Sequence, residues 1–301
     1  MTPAFAAFLS AAALAAAPPP TGSAEVYAQR VALVAADTAC AVFSRAERAL
    51  LDALAARSRD DAARAGDTPA ELDRFEARHR RAPETCNETF AGAAGHREHA
   101  AALAQTHEIA FPGLYQDWIS ERRHRNAPLW RVRQAARGHA AMLGVHAGDG
   151  DTGDGLAFAV RSESAPASAV LIARDPSRQP HPLDFTAGGL LPAPFEDALS
   201  AWGGAADAER RIPASKRLDA ALATRLAPAS GEAAYAFGFP DHALEALRRL
   251  APREGVRIEL TGARGELLDI VWFEAGMFNA AMAVQALPLP EPENTQTASA
   301  D

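Results

Sequence analysis

Apolar positions recur at helical spacing through the first third of the chain. Ser44-Arg-Ala-Glu47 has the sequence of a capping box, in which the serine side chain accepts from the third helical amide and the glutamate reaches back to the cap. It predicts a helix that ends at Gly66. Thr68-Pro69-Ala70-Glu71 repeats the box and predicts a second helix that stops before Pro83. With further helical stretches expected at 25–39 and 89–108, the pattern predicts a helical domain over residues 25–127.

The two cysteines of the chain lie at the outer ends of this predicted pair of helices. Two helices joined by so short a connection run antiparallel, so the start of the first and the end of the second lie side by side. Cys40 precedes the first helix and Cys86 follows the second. We therefore expect a disulfide between Cys40 and Cys86 that clamps a helical hairpin, and the alternative is two unrelated buried thiols.

After Pro128 the pattern changes to short runs in which apolar and polar residues alternate, which is typical of half-buried strands. The predicted strands are Leu129–Ala135, Ala140–His146, Leu156–Arg161, Ala169–Arg174, Ala233–Phe239, Val256–Thr261 and Leu267–Glu274. Helices are predicted at about 194–202, 215–226, 241–251 (capped by Asp241) and 276–287. Strands that follow one another directly, with helices inserted late, predict an α+β domain over residues 128–287.

The expected fold is therefore α+β. An N-terminal disulfide-clamped helical hairpin region precedes a mostly antiparallel sheet with helices. Residues 288–301 mix Pro, Glu, Thr and Ser, a composition that predicts a disordered tail.

The first 24 residues differ from the rest because they carry no charge. A run of Ala, Phe and Leu followed by small residues resembles a secretory signal peptide with cleavage near Ala24. The absence of an N-terminal Lys or Arg and the prolines at 18–20 leave an Ala-rich disordered leader as the alternative. Disulfides persist in oxidising compartments, so the cysteine pair and this segment together predict a periplasmic or secreted protein.

Composition and charge exclude several classes of function. The chain has 30 basic and 38 acidic side chains and a net charge of -8, which argues against a general nucleic-acid binder. No apolar run reaches the ~20 residues needed to cross a bilayer, so no integral membrane span is expected. Alanine accounts for 74 residues, so any core is built largely from small side chains.

A glycine-rich segment, Gly148–Gly153, matches the dinucleotide-binding pattern G-x-G-x-x-G letter for letter. That pattern should lead into a helix, whereas this segment leads into a predicted strand, and Asp149, Asp151 and Asp154 would repel phosphate. We therefore expect a solvent-exposed hairpin loop built from Asp-Gly turns. An irregular calcium site formed by the three aspartates is the alternative that stays open.

Two groups of side chains are candidates for binding. His96, His99 and His107 share one predicted helical face and are candidate metal ligands. No Cys or carboxylate completes a site, so a packed or interface helix is the alternative.

A second group, made of arginines, lies near Trp118 and Trp130, and its members are Arg122, Arg123, Arg125, Arg131 and Arg133. We expect these arginines to form an anion-binding or interface patch that pairs with carboxylates between the two domains, in preference to binding single-stranded nucleic acid.

Several stretches resemble a known group of proteins. The run Cys40–Leu50, the distant Cys86, the strand Trp130-Arg-Val132 and the closing Trp272–Ala281 are similar to uncharacterised exported proteins of alphaproteobacteria. Those proteins carry a two-cysteine helical hairpin before a small mixed domain. The resemblance covers about residues 38–287, implies a periplasmic location and supplies no catalytic residue. The strand–helix ending also resembles that of the invasion-associated locus B proteins.

These observations favour an exported, non-enzymatic accessory or binding protein whose partner is an unknown protein or a component of the cell envelope. Neither G-x-S-x-G nor S-x-x-K occurs, and the disulfide would remove both thiols as nucleophiles, so no catalytic residue and no cofactor are predicted. The alternative is a periplasmic hydrolase or a metal-dependent enzyme.

Overall fold

The computed structural model describes residues 23–86, 90, 92–122, 129–148, 154–184, 199, 202–229 and 231–288. Its helices are α1 (Ser23–Cys40), α2 (Arg45–Arg64), α3 (Pro69–His79), α4 (Ala93–Gln105), α5 (Ala220–Leu226), α6 (Asp241–Arg248) and α7 (Phe278–Gln285). Its strands are β1 (Glu108–Phe111), β2 (Trp118–Glu121), β3 (Trp130–Ala135), β4 (Ala141–His146), β5 (Gly155–Arg161), β6 (Ser168–Arg174), β7 (Leu183–Asp184), β8 (Trp202–Gly203), β9 (Glu209–Pro213), β10 (Lys216–Arg217), β11 (Ala234–Gly238), β12 (Gly255–Thr261) and β13 (Leu267–Glu274).

The strands form two main sheets, and every strand pair among the described residues is antiparallel. One sheet has seven strands in the order β1-β2-β3-β4-β5-β11-β10, and the other has four in the order β13-β12-β6-β9. Strands β7 and β8 make a separate ribbon. The α+β class is confirmed, and each of the seven strands predicted after Pro128 is present.

The two sheets pack face to face around an apolar core. Along β12, Val256, Ile258 and Leu260 are buried and alternate with less buried polar residues, as the period of two requires. Phe158 of β5 meets Phe273 of β13 edge to face, with ring centroids 6.0 Å apart. The inner faces of both sheets therefore belong to one continuous hydrophobic cluster.

Helix α5 covers the opposite face of the seven-stranded sheet. Its Leu226 packs against Ala157, Ala159 and Ala236, which the central strands β5 and β11 present on that face. Alanine side chains let a helix lie close to a sheet, so the high alanine content is used here in helix–sheet packing.

The helical region and the sheets share their core through α7. This helix packs against β1, β2 and β3 on one side and against α2 and α4 on the other. Trp118 of β2 lies over Phe278 of α7 with ring centroids 4.8 Å apart, and Leu50 of α2 is fully buried in the same cluster. The core therefore runs without interruption from the helices into the sheets.

The helical prediction for residues 25–127 is wrong between Glu108 and Glu121. Strands β1 and β2 occupy this stretch, and β2 pairs with β3, so the seven-stranded sheet extends across residue 128. Burial alternates along both strands, but apolar residues stand side by side in Ile109–Phe111 and at Trp118 and Ile119, so the sequence does not show this alternation, and Pro112 and Gly113 lie between the strands.

Two further details of the predicted helices differ from the structure. Residues 215–226 hold strand β10 before α5, which begins only after its cap Asp219. Helix α6 begins at Asp241 rather than being capped by it, because Pro240 occupies the cap position. The predicted leader and tail, and most of the helix expected at 194–202, lie outside the described residues, although Trp202 begins β8.

Both predicted capping boxes are present, and so is the predicted disulfide. The side chains of Ser44 and Thr68 accept from the backbone N–H groups of Glu47 and Glu71, whose carboxylates bond back to the caps. Cys40, the last residue of α1, is joined to Cys86 beyond α3 with their Cα atoms 5.4 Å apart. The disulfide therefore fixes α3 against the end of α1.

A single buried carboxylate connects the two sheets. Glu274 ends β13, and its oxygens accept the backbone N–H groups of Leu114, Tyr115 and Gln116 at 2.6, 2.8 and 3.2 Å. These donors lie in the β1–β2 connection of the other sheet. A side chain at Gly113 would approach the Glu274 carboxylate to 2.7 Å, so the absence of a Cβ there permits the close approach.

Replacing both cysteines with alanine should lower the free energy of unfolding by about 4 kcal/mol, because the bridge closes a long loop in the unfolded chain. Urea unfolding with and without reductant measures the effect. Reductant should lower the stability of the wild type to that of the double variant and leave the variant unchanged. Equal stability of the oxidised wild type and the variant would contradict this expectation.

Glu274→Gln should lower the free energy of unfolding by about 2–4 kcal/mol, because an amide group replaces one acceptor oxygen and confronts buried N–H donors. Glu245→Gln is the matched control, since Glu245 is exposed and its ion-pair partner among the described residues is Arg248 at the surface of α6. The control should change stability by less than about 0.5 kcal/mol. Urea unfolding of both variants tests this. A similar loss of unfolding free energy in the two variants would contradict the anchoring role of Glu274.

Candidate functional site

A cleft of about 300 Å³ lies at the seam between the helical region and the sheets. One wall is formed by α2 and the start of α3, and the other by the turn between α6 and β12 and by the segment that follows β6. Its lining residues are Ala56, Arg59, Asp60, Ala63, Pro69, Leu72, Arg174, Pro180, His181, Pro182, Arg249, Leu250, Ala251, Pro252 and Arg253. Seams of this kind are where ligand pockets commonly form.

A fully buried ion pair holds one wall of the cleft. Arg174, at the end of β6, donates from Nε and Nη2 to the two carboxylate oxygens of Glu254 at 2.7 and 2.5 Å. The third nitrogen, Nη1, donates to the carbonyl of Gln179. Glu254 also accepts the backbone N–H of Ala251 at 2.6 Å. The pair therefore fixes both the 251–254 turn and the segment after β6.

A second buried carboxylate spans the seam itself. Asp60 of α2 accepts from Nε of Arg253 at 2.6 Å and also from Arg64 one turn further along its own helix. Only 4% of the Asp60 side chain is exposed, so its charge depends on these two partners. The Asp60–Arg253 contact sets the distance between the two walls.

Arg59 is held on the helical wall by three acceptors. Its guanidinium donates to the Tyr27 hydroxyl at 3.1 Å, to Glu76 at 3.0 Å and to Asp73 at 2.6 Å. The Tyr27 hydroxyl in turn donates to Glu76 at 2.7 Å. Burial, followed by that hydrogen bond to a carboxylate, raises the pKa of Tyr27 to about 12. This network joins α1, α2 and α3.

The charged side chains at the rim of the cleft are exposed, unlike the buried ion pairs of its walls. His181 and Arg249 are exposed, and the side chain of Arg249 makes no hydrogen bond or ion pair with any residue that the structure describes. The described lining has four arginines and one histidine against one aspartate. Three of these arginines are paired with carboxylates, so the positive charge that remains exposed is that of Arg249.

The three predicted histidines do not meet at one point. His96 is buried, contacts Phe43 edge to face, and places Nε2 2.9 Å from the carbonyl of Glu47, which requires that nitrogen to be the donor. Desolvation and the nearby charges of His96 and Arg30 lower the pKa of His99. His107 lies beyond the end of α4, so the three no longer share one helix.

Within the described residues, no group of three or more His, Cys, Asp or Glu side chains is arranged to hold a metal ion. His96 packs instead against Phe43 and the backbone of Glu47.

The arginine patch is divided among separate contacts. Arg131 pairs with Asp154 at 3.1 Å, and Arg133 pairs with Glu121 at 2.5 Å and with Glu108 at 3.3 Å.

Arg122 has no carboxylate partner among the described residues and donates instead to the carbonyl of Leu287 at 2.5 Å. Burial lowers its pKa. Arg123 and Arg125 lie outside the described residues, so the predicted patch is described only at three of its five positions.

The glycine-rich segment connects two antiparallel strands. His146 of β4 lies opposite Gly155 of β5, so the chain between them makes a hairpin connection that leads into a strand. Residues 149–153 lie outside the described residues. Of the three predicted aspartates, Asp154 is described, and its carboxylate accepts from Arg131.

The residues that line the cleft were not singled out by the sequence. Asp60 and Arg253 are 193 positions apart, and Arg174 and Glu254 are 80 apart, so no local spacing relates them. The sequence gives only a weak, positional indication of these residues. Arg174 ends a predicted strand, and Glu254 lies in a proline-containing turn just before another, where functional side chains often occur.

The chain matches no protein-family model, and it is similar to no curated protein and to no solved structure. No helix in the described ranges combines the length and the apolar character needed to cross a membrane. The geometry of the cleft therefore carries the functional argument.

Tyr27 should ionise only near pH 12, because its phenol is buried and bonded to a carboxylate. Because the pKa of Tyr27 in the folded state lies above the ordinary value of 10.0, the neutral phenol contributes to the free energy of unfolding. This contribution is complete below pH 10 and is lost as the pH rises toward 12. The ultraviolet titration of the wild type minus that of Tyr27→Phe isolates this group, and circular dichroism reports whether the fold persists. Tyr115→Phe, in the exposed β1–β2 connection, is the control. A difference titration centred near pH 10 would contradict the network.

Proposed function

We propose that this protein is an exported, non-enzymatic accessory protein that binds a ligand in the cleft between its helical region and its sheets. The observation that carries the proposal is the pairing of the buried charges on both walls. Arg174 with Glu254 and Asp60 with Arg253 fix the walls before any ligand arrives. A cleft that is ordered in advance loses little conformational freedom on binding, which favours affinity.

Export is supported by the chemistry of the disulfide. The Cys40–Cys86 bridge would be reduced in most cytosolic compartments and persists in the periplasm or outside the cell. Cys86 is exposed, so reductants would reach the bridge. The charge-free leader of the chain fits the same location.

Export is tested by expressing the full chain in a bacterium and measuring the intact mass of the protein released from the periplasm. We expect a chain that begins near residue 25 and lacks the two hydrogens of the reduced cysteines. A full-length chain with two free thiols in the cytosolic fraction would overturn this part of the proposal.

Binding is tested by screening the purified protein by NMR against a mixed library of small acids, amines and neutral compounds. We expect the hits to shift the backbone amides of residues 56–63 and 249–253, and we expect each hit to be recovered unchanged after long incubation. Hits that shift only distant amides would remove the cleft as the binding element. Conversion of a hit, or stoichiometric bound metal in the purified protein, would support the hydrolase or metal-dependent enzyme instead.

A further inference from the structure

Arg249 differs from the other arginines of the cleft because no described carboxylate pairs with its charge. Arg174 is bound to Glu254, Arg59 to Glu76 and Asp73, and Arg253 to Asp60. Within the described parts of the chain, the exposed guanidinium of Arg249 meets no carboxylate. Its neighbour Arg248 shows the contrast, since it pairs with Glu245 at 2.6 Å on the surface of α6.

Apolar residues make up much of the lining beside Arg249. Leu250 and Leu72 contribute to it with 7% and 4% of their surfaces exposed, and prolines at 69, 180, 182 and 252 are among the other lining residues. Proline offers no backbone N–H group, so these positions present hydrocarbon surface rather than hydrogen-bond donors. A ligand held against this surface gains by burying apolar atoms of its own.

The charge balance limits how much negative charge the ligand can carry. One unpaired guanidinium complements one anionic group, and a planar guanidinium can donate two parallel hydrogen bonds to a carboxylate. The other arginines of the cleft are already paired with carboxylates, so a second negative charge on the ligand would find no unpaired guanidinium in the described lining. The volume of about 300 Å³ is at the lower end of the range for small-molecule sites.

We propose that the cleft binds a small organic acid, with its single carboxylate at Arg249 and its apolar body against Leu72, Leu250 and Pro252. This inference rests on the proposed binding function and specifies the class of its ligand. His181 stands at the same rim and offers a further polar contact to the bound carboxylate.

Four probes separate the contributions of charge and apolar surface. Hexanoate carries both features, hexan-1-ol has the chain without the charge, and acetate and inorganic phosphate carry charge with little or no chain. NMR titrations at constant ionic strength, followed at the amides of residues 56–63 and 249–253, give an affinity for each probe. Hexanoate should bind at least about tenfold more tightly than each of the other three.

Variants at two adjacent arginines locate the charge. Arg249→Gln should weaken hexanoate about tenfold or more while leaving the weak binding of hexan-1-ol unchanged, because it removes only the charged donor. Arg248→Gln, at the exposed last residue of α6, is the matched control and should change the affinity for hexanoate by less than about twofold. Both side chains are exposed, so both variants should fold, and thermal unfolding verifies that they do.

Each contrary result overturns the inference in a distinct way. Equal binding of hexanoate and hexan-1-ol, unaffected by Arg249→Gln, would show a cleft that binds apolar ligands without using the charge. Equal binding of acetate or phosphate would show an anion site that does not use the apolar wall. Binding of none of the four would remove organic acids as the ligand class. Hits from the mixed library at the cleft would still uphold the proposed function in all three cases, and their absence would end it.

Discussion

The hydrogen bonds received by the Glu274 carboxylate are the constraint on which the arrangement of the molecule depends. They tie the end of β13 to the β1–β2 connection, and the backbone of the same residue bonds to Trp118 and Gln134. Two residues later the chain turns at Gly276, where φ is +40°, and α7 begins at Phe278. Because α7 carries α2 and α4 on its outer side, the anchor at Glu274 also sets the position of the helical wall of the cleft.

The buried charges around the cleft serve geometry more than stability. Removing Arg174 and Glu254 from water costs several kcal/mol per ion, which their mutual attraction and their further hydrogen bonds offset without a large surplus. What the pair contributes is a fixed position for the 251–254 turn, in which Arg253 meets Asp60 of α2. Charges that are satisfied internally do not attract a ligand strongly. A ligand would therefore be recognised by the exposed residues of the rim and by the apolar residues of the walls.

The sequence predicted the helices and strands that are specified by neighbouring residues. It missed the elements that depend on contacts between residues far apart in the chain. The capping boxes at Ser44 and Thr68 fix their helices within four residues, and the strand Val256–Thr261 displays its period over six. The sequences of β1 and β2 do not alternate, and these strands depend on the pairing of β2 with β3 and on the packing of α7 against both of them. The cleft was unpredictable for the same reason, since its ion pairs join positions 80 and 193 residues apart.

The disulfide connects the location of the protein to the shape of its cleft. Helix α3 supplies Pro69 and Leu72 to the cleft, yet Leu72 is its one buried residue and its helix partners are α1 and α2. Phe75 adds a partly buried ring stacked on Tyr27 with centroids 5.8 Å apart, and an apolar contact of this size holds a short helix weakly. The remaining restraints are the Tyr27–Glu76–Arg59 network on one side and the Cys40–Cys86 bridge beyond its end. An oxidising compartment therefore preserves the wall that α3 forms, whereas in a reducing one the helix would be held by the polar network, Leu72 and the Phe75 ring alone.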